Sequence, residues 1–89
     1  MATVHLLIEG KVQGVFYRAS AKEAADNFGI TGWVKNTREG NVEVLACGEE
    51  ASVNTFIEWC KQGPPKANVT AVIVTPQNES SFKNFEISR

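Results

Sequence analysis

The chain of 89 residues has few of the side chains that metal centres and disulfide scaffolds need. It contains two cysteines, Cys47 and Cys60, and a single histidine, His5. Small domains held together by disulfides have a much denser cysteine pattern, so we expect two free thiols in a reducing compartment. A zinc site would need further ligands besides these residues, and we therefore expect no metal ion.

The sequence also lacks a membrane segment and an excess of positive charge. Residues 1–9 have no basic start and too short an apolar run for a signal peptide, and no later run could span a bilayer. Nine Lys and Arg against ten Asp and Glu give a net charge of −1, whereas domains that bind nucleic acid are usually basic. We expect a cytoplasmic protein without membrane or nucleic-acid partners, and nothing suggests more than a monomer.

What remains is the composition of an ordinary globular domain, with 43% apolar and 21% charged residues. A chain of this length has room for one core, so we expect a single domain over residues 1–89. Alternating apolar residues predict strands, and apolar residues at helical spacing predict helices. The predicted strands cover residues 3–9, 30–35, 41–46, 67–75 and a short last strand within 82–88, and the predicted helices cover 17–28 and 51–62.

This order of elements predicts an α+β fold, the ferredoxin-like βαββαβ sandwich, in which an antiparallel sheet carries both helices on one face. In that topology the first and second strands run parallel with one strand between them. Their C-terminal ends therefore share one edge of the sheet, roughly 10 Å apart at a strand spacing of ~4.8 Å. The fold hosts many functions, so the chemistry has to be argued from the residues at this edge.

The loop between the first strand and the first helix is a candidate anion site. A glycine-containing loop that enters a helix leaves backbone amides unpaired at the helix N-terminus, where the helix dipole also favours an anion. Arg18 lies at this terminus, and its planar guanidinium can donate two parallel hydrogen bonds to a phosphate. The pattern alone also fits an ordinary glycine loop with a solvated arginine. The glycine spacings of P-loops and dinucleotide-binding sites are missing here.

Asn36 ends the second predicted strand, at the same edge of the sheet as this loop. Its side chain could meet the loop across a small anion. An asparagine at the end of a strand also often starts a turn, and the residues alone leave both interpretations open. His5 lies within the first strand, far from the loop, so we expect a structural or surface role for it rather than that of a general base.

Two segments resemble the signatures of the acylphosphatase family. Residues 10–18, GKVQGVFYR, resemble the first signature, and residues 32–42, GWVKNTREGNV, followed by Gly48, resemble the second. Further similarity lies in Phe56, Trp59, the segment 63–69 (GPPKANV) and the closing residues 85–87. The resemblance covers essentially the whole chain in order.

The resemblance implies an enzyme that hydrolyses acyl phosphates to a carboxylate and inorganic phosphate without a metal or other cofactor. Asn36 would hold the attacking water, and Arg18 would bind the phosphoryl group together with backbone amides. Those amides would belong to Gln13, Gly14, Val15, Phe16, Tyr17 and Arg18. The carboxylate leaving group, with a conjugate-acid pKa near ~4, needs no general acid.

Two other functions are compatible with such a loop. A non-catalytic module could bind phosphate or an anionic metabolite through the same amides. A ferredoxin-like domain could also bind nucleic acid, but the balanced charge and the missing basic aromatic motif disfavour this interpretation.

Overall fold

Seven elements form in the order that the apolar periodicity predicts, as seen in a computed structural model that describes residues 1–88. Arg89, the last residue of the predicted domain, lies outside the described residues. The elements are β1 (Ala2–Lys11), α1 (Tyr17–Phe28), β2 (Thr31–Asn36), β3 (Val42–Gly48), α2 (Glu50–Gln62), β4 (Asn68–Pro76) and β5 (Phe85–Ile87).

The five strands form one sheet in the order β4-β1-β3-β2-β5. The first four strands pair antiparallel, so β1 and β2 run parallel with β3 between them, as predicted. The prediction of an antiparallel sheet is wrong for β5, which pairs parallel with β2 and makes the sheet mixed. Phe85 holds β5 at this edge because its buried ring packs edge-on against Phe56, with 5.8 Å between the ring centroids.

The core lies between the sheet and the two helices. Small residues of α1 allow close helix packing, and larger apolar side chains come from α2 and from alternate positions of the central strands. Core residues without solvent exposure include Ala21 and Ala25 of α1, Phe56 and Cys60 of α2, Leu6 and Ile8 of β1, and Val44 of β3. This arrangement matches the ferredoxin-like α+β sandwich expected from the sequence.

Strand β1 is longer than predicted, because Gly10 does not end it. The register with β4 shifts between Glu9 and Gly10, which forms a bulge, and the strand continues to Lys11. Gly10 has a φ of 126°, and a Cβ at this position would overlap the carbonyl oxygen of Asn68. Glycine therefore permits the close approach of β4 at the point where the chain leaves the sheet.

Strand β2 begins one residue later than predicted because of the way α1 ends. Gly29 adopts a left-handed conformation with a φ of 70°, and the Ile30 amide donates to the Ala25 carbonyl at 2.8 Å. Gly29 thus forms a glycine cap, which satisfies carbonyls at the helix end. Ile30 belongs to the cap and enters the core, so β2 begins at Thr31.

The two cysteines are free and buried, as expected from their number. Burial raises the pKa of the Cys60 thiol to about 12. A thiol that remains protonated is a poor nucleophile, so Cys60 acts as a small apolar core residue. Among residues 1–88, the helices are too short or too polar to cross a bilayer.

Candidate active site

Buried side chains fix the β1–α1 loop, residues 12–16, to the core. Val12 and Val15 are almost fully buried, and so is Tyr17 at the start of α1. The residues between them, Gly14 and Phe16, are exposed. The three buried side chains hold the loop against the core, and the exposed residues between them lie toward solvent.

Tyr17 is the largest of these contacts. Its ring lies 5.6 Å from that of Trp59, between centroids, and its hydroxyl donates to the Cys60 carbonyl at 2.8 Å. Burial raises the pKa of the Tyr17 phenol far above its usual range, with a smaller contribution from the neighbouring Cys60. The phenol therefore stays protonated at neutral pH and cannot accept a proton from water.

The backbone of the loop is curled by two left-handed residues. Gly14 has a φ of 73° and Phe16 a φ of 64°. Alternating conformations of this kind turn successive amides toward a common concavity that suits an anion. Phe16 occupies the N-cap position of α1, where no side chain caps the helix and no acidic residue lies in its first turn.

The amides of residues 13–18 are therefore left as free donors within the described chain. None of them donates to another backbone carbonyl within residues 1–88, and the next amide with such a partner belongs to Ser20, which donates to Phe16 at 3.0 Å. Within residues 1–88, the backbone amides that donate to side chains belong to Asn41 and Ser80, neither of which lies in the loop. Unpaired amides at a helix N-terminus, with the helix dipole behind them, attract an anion.

Arg18 and Asn36 meet at one cavity of about 640 Å³ beside this loop. The parallel course of β1 and β2 brings them to the same edge of the sheet, as the topology predicts. Gly14, Phe16 and Tyr17 also line this cavity. Gln13 and Val15, two of the predicted amide donors, belong to the loop but not to the lining.

Arg18 is the one charged side chain among the described residues that line the cavity. The ion pairs of these residues all involve other side chains. The described part of the lining includes no Asp, Glu or His. His5 lies elsewhere, with its Nε2 2.9 Å from Glu43 Oε2 on the neighbouring strand, in the structural role expected for it. Within residues 1–88, the guanidinium therefore has no ion-pair partner.

The side chain of Gln13 ties the loop to the turn that follows Asn36, and sequence reasoning assigned it no such role. Its Nε2 donates to the carbonyl oxygens of Thr37 and Asn41, at 2.8 Å each. Both partners are acceptors, so an amide NH₂ group, with two hydrogens, satisfies both of them. No spacing rule connects residues 13 and 37, which meet because β1 and β2, with β3 between them, end at the same edge of the sheet.

Thr37, rather than Asn36, closes the β2–β3 turn, residues 37–41. Its Oγ1 accepts from the Asn41 amide at 3.1 Å, and its own amide donates to the Asn41 carbonyl at 2.9 Å. The side chain of Asn36 is exposed and makes no hydrogen bond with another residue of the range 1–88. The turn thus forms without the side chain of Asn36. This residue lines the cavity, and its side-chain amide has no hydrogen-bond partner within residues 1–88.

We expect Gln13→Glu to lower both stability and turnover. A carboxylate would face two carbonyl oxygens, and the two hydrogen bonds that are lost contribute about 0.5–1.5 kcal/mol each. The free energy of unfolding in urea should therefore fall by about 1–3 kcal/mol. The matched control is Gln77→Glu, an exposed glutamine with the same charge change. A Gln13→Glu protein as stable and as active as this control would contradict the bridging role.

The described residues offer no ready metal site. Within residues 1–88, no three side chains from His, Cys, Asp and Glu lie together as a metal ion would require. The donors at the cavity are instead N–H groups, from the backbone and from Arg18. These groups bind anions and do not coordinate cations.

Comparison with known proteins agrees with this geometry. The sequence model described as Acylphosphatase matches residues 4–87. An acylphosphatase from Methylococcus capsulatus is 50% identical over 90 aligned positions, which cover 100% of this chain and 98% of that protein. The crystal structure of acylphosphatase from Bacillus subtilis superposes with a TM-score of 0.97 at 36% identity and covers both chains fully. The chain belongs to the acylphosphatase family.

Proposed function

We propose that the protein hydrolyses acyl phosphates to a carboxylate and inorganic phosphate, without a metal ion, by in-line attack of water. The observation that carries the proposal is the shared cavity of Arg18, Asn36 and the loop that presents the free amides. Membership of the acylphosphatase family supports the substrate class and the reaction.

Arg18 and the amides of residues 13–18 bind the phosphoryl group. The guanidinium donates two parallel hydrogen bonds and keeps its charge at any physiological pH. The amides are held in place by the buried valines and by Tyr17, so they need no reorganisation as charge builds on the equatorial oxygens. Preorganised donors of this kind stabilise the transition state more than the ground state.

Asn36 orients the attacking water. Its exposed side chain, unengaged within residues 1–88, has both a donor and an acceptor to fix a water molecule. Placing the water converts a free reactant into an oriented one, which lowers the entropic part of the barrier. The Gln13 bridge supports this geometry because it joins the phosphate-binding loop to the turn directly after Asn36.

The substrate itself accepts the proton of the water. The described lining offers no carboxylate or imidazole, and the raised pKa of Tyr17 keeps its phenol protonated. A phosphate group has a second pKa near ~6 and can take this proton. As the water oxygen bonds to phosphorus, the P–O bond to the acyl group breaks and its electron pair leaves with the carboxylate. The carboxylate leaves without protonation because its conjugate acid has a pKa of ~4.

The balanced charge favours a small-molecule substrate over a nucleic-acid partner. Nine basic and ten acidic residues give no broad basic surface to follow a phosphate backbone. We place the protein in the cytoplasm as a monomer whose ligands are an acyl phosphate and inorganic phosphate. The scarcity of cysteine supports the cytoplasm. The low number of large apolar residues exposed within residues 1–88 supports the monomer.

Hydrolysis of acetyl phosphate and benzoyl phosphate by the purified protein, with a chelator present, tests the proposal. We expect turnover of both compounds that is insensitive to the chelator and competitively inhibited by inorganic phosphate. Loss of turnover on chelation would overturn the metal-free route. Phosphate binding without any turnover would instead show a binding module built on the same loop.

A further inference from the structure

Phe16 is a bulky residue in a backbone conformation that such residues rarely adopt. Its φ of 64° and ψ of 24° lie in the left-handed region, which glycine and asparagine enter far more readily. The residue is also 78% exposed, so its side chain gains little from burial in the core. A strained residue without a packing role points to a use of its side chain outside the fold.

The exposed ring of Phe16 lines the same cavity as Arg18, and so does Ile87 of β5. Ile87 is 39% exposed, although its strand neighbour Phe85 is buried. Phe16 and Ile87 are two of the six large apolar residues that stand exposed among residues 1–88. They come from elements distant in sequence, and the fold brings them to one cavity.

The cavity is larger than a phosphate group alone requires. At about 640 Å³ it lies in the range of pockets that enclose a whole drug-sized ligand, ~300–1,000 Å³. Its polar groups come from Arg18, Asn36 and the loop backbone, whereas Phe16 and Ile87 add apolar surface. A ligand with an anionic end and an apolar end matches these two kinds of surface.

We propose that Phe16 and Ile87 contact the acyl group of the substrate and make the site selective for acyl phosphates with an aromatic or large apolar acyl group. The inference rests on the proposed function, because it assigns the phosphoryl end of the same substrate to Arg18. An aryl ring packed against Phe16 loses exposed apolar surface and gains a ring–ring contact. An acetyl group is too small to gain either contact in full.

The test compares kcat/KM for benzoyl phosphate with that for acetyl phosphate, in the parent and in Phe16→Ala, Phe16→Leu and Ile87→Thr. Comparing this ratio between a variant and the parent cancels the intrinsic reactivity of the two compounds and any change in the loop that affects both equally. We expect Phe16→Ala to lower the ratio roughly 3- to 10-fold, the effect of one aromatic contact. Phe16→Leu and Ile87→Thr should each lower it by a smaller factor.

Phe82→Ala is the matched control, because this phenylalanine is exposed to 37% and does not line the cavity. Its ratio should equal that of the parent. Ratios for Phe16→Ala and Ile87→Thr that also equal the parent's would overturn the acyl-group contact while leaving hydrolysis intact. A parent protein that hydrolyses neither compound would instead overturn the proposed function, so the two failures are distinguishable.

Discussion

Replacement of Arg18 by alanine should lower kcat/KM for acyl phosphates by roughly 10³-fold or more, the magnitude associated with an arginine that neutralises a transferring phosphoryl group. Competitive inhibition by inorganic phosphate should disappear with it, because the same guanidinium binds substrate and product. The measurement is a steady-state assay with acetyl phosphate at several phosphate concentrations. The described residues that line the cavity include no second Lys or Arg, so no other cation of the lining takes over its role.

The stability of Arg18→Ala should not fall with its activity. A positive side chain in the first turn of α1 opposes the helix dipole, an effect of about 0.3–1 kcal/mol. Removal of the charge should therefore leave the unfolding midpoint unchanged or slightly raised. This outcome separates a functional arginine from a structural one.

Two further variants sharpen the assignment. Arg18→Lys keeps the charge and loses the planar fork, so phosphate inhibition should weaken without vanishing. Arg38→Ala, on the exposed β2–β3 turn, makes the same change in net charge away from the cavity and should leave the kinetics unchanged. If Arg18→Ala were still inhibited by phosphate as strongly as Arg38→Ala, the amides alone would form the binding site.

The sequence predicted the elements that place this site because their patterns are local. Residues 17–28 contain helix-forming residues followed by Gly29, and both bounds of α1 agree with the prediction. The parallel course of β1 and β2 follows from the order of the elements, and it alone predicts that Arg18 and Asn36 lie at one edge of the sheet. Local periodicity and topology are thus sufficient to predict the helix bounds and the common edge of Arg18 and Asn36.

The features that the sequence did not predict depend on contacts between distant segments. The bulge at Gly10 arises from the close approach of the Asn68 carbonyl on β4. The Gln13 bridge depends on the position of the β2–β3 turn, and the pairing of β5 depends on Phe85 reaching the ring of Phe56. A pattern within one segment contains no information on such contacts.

The left-handed conformation of Phe16 is a further case of this kind. Residue type argues against a positive φ at phenylalanine, so propensity alone predicts the wrong conformation. The neighbours Val15 and Tyr17 are both buried, and the backbone between them has to turn within a single residue. Tertiary contacts on either side thus impose the strain that leaves the Phe16 ring at the rim of the cavity.

Asn36→Ala should lower kcat by about 10²–10³-fold, the usual cost of losing one preorganised polar group. KM and the inhibition constant of inorganic phosphate should change little, because Arg18 and the loop amides remain in place. The folded structure should also be retained, since Thr37 closes the turn and the Asn36 side chain is exposed. Asn54→Ala, at an exposed position of α2, is the matched control and should have parent kinetics.

The division between kcat and phosphate binding distinguishes two roles for Asn36. A side chain that orients water affects the rate of the chemical step and leaves binding of the phosphoryl group alone. Loss of a direct phosphate ligand would instead lower the rate of the chemical step and weaken phosphate binding by similar factors. If phosphate inhibition of Asn36→Ala weakens by the same factor as kcat falls, Asn36 binds the phosphoryl group, and the attacking water must be held by the loop amides instead. If kcat alone falls, binding by Arg18 and placement of water by Asn36 are separate tasks.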